Sequence, residues 1–269
     1  MTPIFRRTVH LGNVGSVCLL LMEPASKNGE TLVSSIEKPV GQESIWNYFQ
    51  NDAPENFAGS RGRLSYLVGR ICPGQRVLNI GCGSGILEEL AIVKGIEIYA
   101  LDPTERTIQQ LREKLRLGER AKTGYIQHLP FDDEYFDVVV ASEVIEHLTP
   151  EIMNAGLAEI YRVLRPNGHL LGTVPSRENL KDQMVVCPSC DQRFHRWGHE
   201  QRFDANGIQR SLSERFHVRE IVERPFITWT ALNWKGKVQA ALKLMFWRAG
   251  IHGSDENIFF VAEKGAPKA

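Results

Sequence analysis

The chain has 269 residues, 42% hydrophobic and 24% charged, and its 32 basic and 32 acidic side chains cancel to a formal net charge of +0. That size suits one large domain or one domain with additions. The neutral balance argues against a protein whose business is coating nucleic acid, which needs a basic surface. Five cysteines, one of them inside a glycine loop, make no secreted disulfide framework and point to a reducing, cytoplasmic setting. No apolar run reaches the length of a membrane span.

The first residues carry Arg6 and Arg7 ahead of a short apolar stretch ending at Met22. This has the outline of a weak secretory leader, but no small-residue cleavage site follows. Met22 is an alternative start, which would make the residues before it an upstream extension. Residues 23–42 are polar and lack periodicity, so 1–43 reads as a disordered N-terminal arm. Ser44–Phe49 reads as a short amphipathic helix, and a second helix over about 60–71 carries Leu64, Leu67, Val68 and Ile71 at helical spacing.

Strand and helix then alternate. The pattern predicts a strand at Val77–Ile80, a helix at Ile86–Val93, a strand at Ile98–Leu101 and a helix at Glu105–Leu117 behind Thr104 as N-cap. A short strand at Tyr125–Gln127 and an almost wholly apolar one at Phe136–Ala141 follow. A helix at Pro150–Leu164 is stopped by Arg165-Pro166-Asn167-Gly168, and strands at His169–Val174, His217–Glu223 and Asn257–Ala262 complete the set. This is a doubly wound, Rossmann-like α/β fold over 44–269: a seven-stranded sheet with N-terminal helices and a small insert, 177–203, after the fifth strand.

The first strand runs into Gly81-Cys82-Gly83-Ser84-Gly85. Glycines there let main chain approach a ligand closely. The dinucleotide fingerprint G-x-G-x-x-G would place its third glycine on Ile86, so the turn better suits a ligand with no phosphate to hold. Asp102 ends the second strand about twenty residues on, where an acid accepts hydrogen bonds from ribose hydroxyls. Together they suggest an adenosine ligand lacking phosphate, of which S-adenosylmethionine is the common one. The motifs VLNIGCGSG, YALDP, HLPFDDEYFDVVVASEVIEHL and YRVLRPNGHLLGTVP occur in order across about 60–175. With them the chain resembles class I S-adenosylmethionine-dependent methyltransferases of the broad small-molecule type.

The resemblance implies that Gly81, Cys82, Gly83 and Gly85 hold the methionine portion of the cofactor. It places the ribose on Asp102 and Pro103, the adenine on Gln127 and His128, and Ser142 beside the reacting end. Two departures stand out: Asn79 occupies a position that is usually acidic, and Tyr125 replaces a customary acid in the adenine loop. N-terminal helices cover the cofactor in such proteins, so Trp46, Tyr48 and Phe49 either line the acceptor pocket or pack on the domain edge. His147 is a candidate general base, because imidazole titrates near working pH, or it holds its loop by a hydrogen bond. Glu143 is a candidate for orienting the cofactor or the acceptor.

Glu143, Glu146 and His147 also resemble the E-x-x-E-H cluster with which small-RNA 2′-O-methyltransferases hold a divalent metal, an alternative reading of the chain. A second alternative is a scaffold that binds the cofactor without turnover; the intact loop and Asp102 argue against it. In the insert, Cys187 and Cys190 at C-x-x-C spacing with His195 and His199 predict a structural zinc site. A redox pair there would lack its usual thioredoxin-like strand, and a third reading gives His199 to the acceptor pocket. Trp229–Arg248 reads as a basic amphipathic helix that either covers the sheet edge or lies on a membrane surface. The expected reaction is methyl transfer to an oxygen of a small or lipid- or glycan-linked acceptor, not nucleic acid, in a cytoplasmic or membrane-peripheral protein.

Overall fold

Alternating apolar runs along the strands decide how the sheet is filled on its two faces. In the computed structural model, which describes residues 41–53, 59–188, 190–253 and 256–265, the elements in chain order are α1 (Gln42–Asn47), α2 (Arg61–Gly69), β1 (Arg76–Ile80), α3 (Ile86–Val93), β2 (Glu97–Asp102), α4 (Glu105–Leu115) and β3 (Ala121–Thr123). They continue with β4 (Phe136–Ser142), α5 (Pro150–Val163), β5 (Leu164–Pro175), β6 (Met184–Val186), β7 (Arg193–His195), α6 (Ala205–Ser213), β8 (His217–Arg224), α7 (Trp234–Arg248) and β9 (Asn257–Glu263). The arm expected at 1–43, with its alternative start at Met22, lies outside the described residues except for its last three. Of those, Gln42 is buried and helical.

Seven strands form one sheet in the order β3-β2-β1-β4-β5-β9-β8. The first five are parallel, and β9 runs antiparallel to both β5 and β8. Side chains alternate between the faces, as a period of two requires. Leu78, Val139 and Phe260 enter one core with Ile160 of α5, while Val77, Val140 and Phe259 enter the other with Leu67 of α2 and Ile108 of α4. Chain order reverses between β1 and β4, which opens a crevice at the carboxyl ends of these strands, the usual ligand position in such sheets.

The third strand is Ala121–Thr123 and not Tyr125–Gln127. Pairing with β2 ends where Thr123 meets Asp102, and the Gly124 N–H then closes onto the Asp102 carbonyl at 3.0 Å. Ile126 leaves the strand direction to press on Gly156 of α5, where an added Cβ would fall 2.8 Å from its Cγ1. The strand-forming tripeptide is thus overridden by a helix contact. Thr149 caps α5 by accepting from the Ile152 N–H at 3.4 Å, with Pro150 in the first turn.

The expected C-terminal helix divides into a short turn at Trp229–Ala231 and α7. Only Ala240 of α7 is buried, so the helix covers little of the sheet edge. It is held instead by Trp247, whose Nε1 donates to the Glu223 carbonyl at 2.6 Å. Among the described residues no helix is long and apolar enough to cross a membrane.

Candidate active site

A cavity of about 430 Å³ lies at the carboxyl ends of β1, β2 and β4, roofed by α1 and by residues from the insert. The glycine loop forms its inner wall. Gly81, Gly83 and Gly85 have φ of 75°, 52° and 80°, the left-handed region that glycine enters without penalty. A Cβ at Gly81 would strike Val144 Cγ2 at 2.7 Å, so both space and backbone angle demand glycine there. Gly85 differs. It sits at the N-cap of α3, an added Cβ would meet Leu111 of α4 at 2.4 Å, and it does not line the cavity. It packs one helix against another, contrary to the ligand contact expected of it.

Asp102 lines the cavity with its side chain fully buried. Its Oδ1 accepts from the Thr104 N–H at 3.0 Å, and its Oδ2 accepts from Gln50 Nε2 at 3.2 Å and from the Cys82 thiol at 3.7 Å. Burial pushes this carboxyl up, and the hydrogen bonds from Thr104 and the Gly83 N–H pull it back. Pro103 lines the wall beside it. Gln50, in the turn after α1, was not foreseen; Thr107 Oγ1 donates to its Oε1 at 2.8 Å and so orients its amide toward Asp102.

Asn79 lines the cavity and donates from Nδ2 to Glu88 Oε1 at 2.7 Å. Glu88 is fully buried on α3, its Oε2 has no hydrogen-bond partner, and burial pushes its pKa up to about 7 against the pull of Asn79. The acid missing from position 79 is therefore present behind it, supplied from the following helix. The sequence signal was one glutamate on the inward face of a helix that otherwise buries Leu87 and Ala91 there.

In the adenine loop, Gln127 lines the cavity, and its Oε1 is buried without a partner. His128 does not line the cavity: its N–H turns back onto the Tyr125 carbonyl at 3.0 Å and its ring lies near Glu159. The expected His128 contact is corrected by that turn. Tyr125 lines the wall, its hydroxyl bonded to Glu43.

At the other end, Ser142, Glu143 and His147 all line the cavity. Glu143 has φ of 58°, and it is held from three sides. Its Oε1 accepts from Thr173 Oγ1 at 2.9 Å, both oxygens accept from Asn257 Nδ2 at 3.1 Å, and Arg63 stands 3.7 Å from Oε2. Arg63 also donates to Ser142 Oγ at 3.1 Å. Glu143 is thus a fixed negative wall.

His147 Nδ1 lies 3.1 Å from the Gly198 carbonyl and 3.4 Å from Trp46 Nε1, so Trp46 of α1 reaches the cavity. Gln42 Nε2 donates to the main-chain carbonyls of both His147 and Gly198 at 2.8 Å and clamps the two loops together. His199 lines the cavity beside His147, with ring centroids 4.7 Å apart. Its Nδ1 is 2.5 Å from Glu178 Oε2, and Glu178 also lines the cavity. Behind it, buried His195 stacks on His199 at 4.6 Å and accepts the His199 N–H on Nδ1 at 3.1 Å. Burial and the neighbouring His199 lower the pKa of His195, so this ring is a neutral prop.

The predicted zinc tetrad is not assembled. The β6–β7 hairpin pairs Met184 with His195 and Val186 with Arg193, which leaves Cys187 and Cys190 at its tip. His195 stands at the opposite end, three residues along the strand from Cys187, or about 10 Å at the usual rise. Cys190 is exposed, and among the described residues no group of three metal-capable side chains includes a cysteine. The Glu143, Glu146 and His147 set is not formed either. One ligand-capable atom from each of Glu146, His147 and His199 falls within 4.8 Å of the others, while Glu143 is engaged by Thr173 and Asn257. Glu146 is fully buried with neither carboxylate oxygen hydrogen-bonded, and burial together with the nearby Glu143 charge drives its carboxyl well up.

Residues 78–172 match a family described as a methyltransferase domain. A protein of Mycolicibacterium smegmatis described as a probable S-adenosylmethionine-dependent methyltransferase is 33% identical over 126 residues, 46% of this chain and 48% of that one. Malonyl-[acyl-carrier protein] O-methyltransferase of Serratia marcescens is 25% identical over 155 residues, 58% of this chain and 56% of that one. The chain thus spans about half the length of these curated relatives. Among solved structures, the fold resembles 1,6-didemethyltoxoflavin-N1-methyltransferase of Burkholderia thailandensis, which was solved with 1,6-didemethyltoxoflavin and S-adenosylhomocysteine. The TM-score is 0.58 at 16% identity, over 83% of this chain and 87% of that one. Residues 78–172, which hold the glycine loop and the buried acid after β2, thus form a methyltransferase domain similar to S-adenosylmethionine-dependent ones.

Proposed function

We propose that this chain transfers a methyl group from S-adenosylmethionine to an oxygen of a small or lipid- or glycan-linked acceptor admitted between α1 and the insert. The observation that carries the reading is one cavity with a main-chain glycine wall and buried Asp102 at one end and the His147–His199–Glu178 group at the other. The residues fit the cofactor. Asp102 accepts the ribose hydroxyls, with Gln50 yielding or sharing its place. The unpartnered Gln127 Oε1 meets an adenine donor, and Asn79, backed by Glu88, receives the ammonium of the methionine end.

The bound sulfonium supplies an electrophilic methyl group, and the protein's share is alignment of that group with the attacking atom. His199 donates its Nδ1 proton to Glu178, which leaves Nε2 as the proton acceptor for a hydroxyl. His147 stands edge-on to that ring and bounds the acceptor side. The choice of oxygen rests on this pair, since a hydroxyl acceptor must lose a proton. It agrees in kind with the Serratia relative, which is named an O-methyltransferase.

The test is a screen of metabolite and lipid extracts with labelled methyl donor, run with the full chain and with its His199→Ala variant. A labelled acceptor that appears only with the unaltered chain, while both bind S-adenosylhomocysteine equally in calorimetry, supports the reading. Failure of the unaltered chain to bind S-adenosylhomocysteine would remove it.

A further inference from the structure

We propose that α7 lies flat on an anionic lipid bilayer. At about 3.6 residues per turn, Trp234, Val238, Leu242 and Met245 share one stripe along Trp234–Arg248. That stripe faces solvent: Trp234 is 71% exposed, Val238 52%, Leu242 46% and Met245 55%, with Phe246 at its margin 48% exposed. The opposite side is the one that meets the protein, through buried Ala240, through Leu244 beside Tyr66 and Phe226, and through the Trp247 bond to Glu223. The helix is therefore oriented with its larger apolar side chains outward, the reverse of a helix that covers a core.

The charges decide the occupant. By the same spacing Lys235 flanks the stripe on one side and Lys237 and Arg248 on the other, and Trp234–Arg248 contains no aspartate or glutamate. An apolar stripe with cations on both margins is the arrangement that seats a helix at the boundary of acyl chains and anionic headgroups. Two copies of α7 set face to face would bring these cations against one another, which disfavours self-association. At 15 residues the helix is too short to span a bilayer and long enough to lie along its surface. This inference stands apart from the methyl-transfer reading, because nothing in it uses the cavity.

The experiment is co-sedimentation of the full chain with vesicles of mixed phosphatidylglycerol and phosphatidylcholine, and with phosphatidylcholine alone. Binding to the mixed vesicles is expected, weakened at high salt. Reversing Lys235 and Lys237 to glutamate should reduce it by about tenfold or more, at a scale of about 1 kcal/mol for each basic residue near the surface. Val238→Glu with Met245→Glu should abolish it. All these positions are exposed, so melting temperature and S-adenosylhomocysteine binding should stay unchanged. Three outcomes overturn the proposal. One is no sedimentation of the unaltered chain with either vesicle. Another is sedimentation that the Val238 and Met245 changes do not alter. The third is light scattering that shows a dimer which those changes dissolve while lipid goes unbound; this would assign the stripe to a protein contact.

Discussion

The two ends of the cavity are made of different material. At the β1–β2 end the wall is largely main chain: Gly81 and Gly83 in left-handed conformation and a carboxylate fixed by the N–H groups of Gly83 and Thr104. At the other end it is made of side chains carried by separate segments, Trp46 from α1, His147 after β4, and Glu178 and His199 from the insert, with Gln42 and His195 bracing them from behind. A wall of main chain keeps its shape through wide sequence change, while a wall of side chains changes chemistry with single substitutions. Under the proposed function, the first end holds the cofactor and the second chooses the acceptor.

The largest expected break falls at the side-chain end. His199→Ala should lower turnover on the acceptor by about 10² to 10⁴, the range for losing a positioned base, with S-adenosylhomocysteine affinity unchanged in calorimetry. Glu178→Gln should cost less, since an amide oxygen can still accept from the His199 ring and hold it in place. Equal losses of binding and turnover would erase the division between the two ends.

Next in size is Asp102→Ala, which should weaken S-adenosylhomocysteine binding by about 1.5–3 kcal/mol, the scale of charge-assisted hydrogen bonds. Calorimetry that returns an unchanged affinity would take Asp102 out of the ligand wall.

Glu88 sharpens the comparison from behind the main-chain end. Folded, it keeps its proton up to about pH 7, whereas an unfolded glutamate releases it near 4.5. Between those values the native state binds more protons than the unfolded one, so this group's contribution to stability falls as pH rises from 4.5 to 7 and levels off above. Glu88→Gln should remove that slope and raise stability at neutral pH by on the order of 1 kcal/mol, read as melting temperature against pH. A slope that survives the change would mean that another group carries it.

The smallest effect belongs to the hairpin tip. Cys187→Ser together with Cys190→Ser should move stability by less than about 0.5 kcal/mol, as surface substitutions do, and should leave the metal content of the purified chain unchanged. Loss of one zinc ion on this change would restore a metal site that β6–β7 pairing does not build.

What was legible follows from how far each feature reaches along the chain. The glycine loop and Asp102 were readable because a strand, a turn and the next strand fix them locally. Gln50 meets Asp102 from 52 positions away, and Gln42 reaches His147 across 105; no local pattern encodes such meetings. Glu178 and His199 lie 21 positions apart in the segment read for zinc. Spacing alone suggested that Cys187, Cys190, His195 and His199 converge, but strand register turns the cysteines and histidines to opposite ends of the hairpin. The Tyr125–Gln127 strand failed for a similar reason, because its apolar residue was needed against Gly156.

The burial of Cys82 divides the chain's thiol chemistry. Its thiol is pushed well up, first by burial and then by the Asp102 charge beside it, so it stays protonated and poor as a nucleophile. Cys72 and Cys190 are exposed, so an added alkylating reagent should reach them first. Cys82, nearly fully buried at the cavity wall, is therefore expected to react last among the described cysteines.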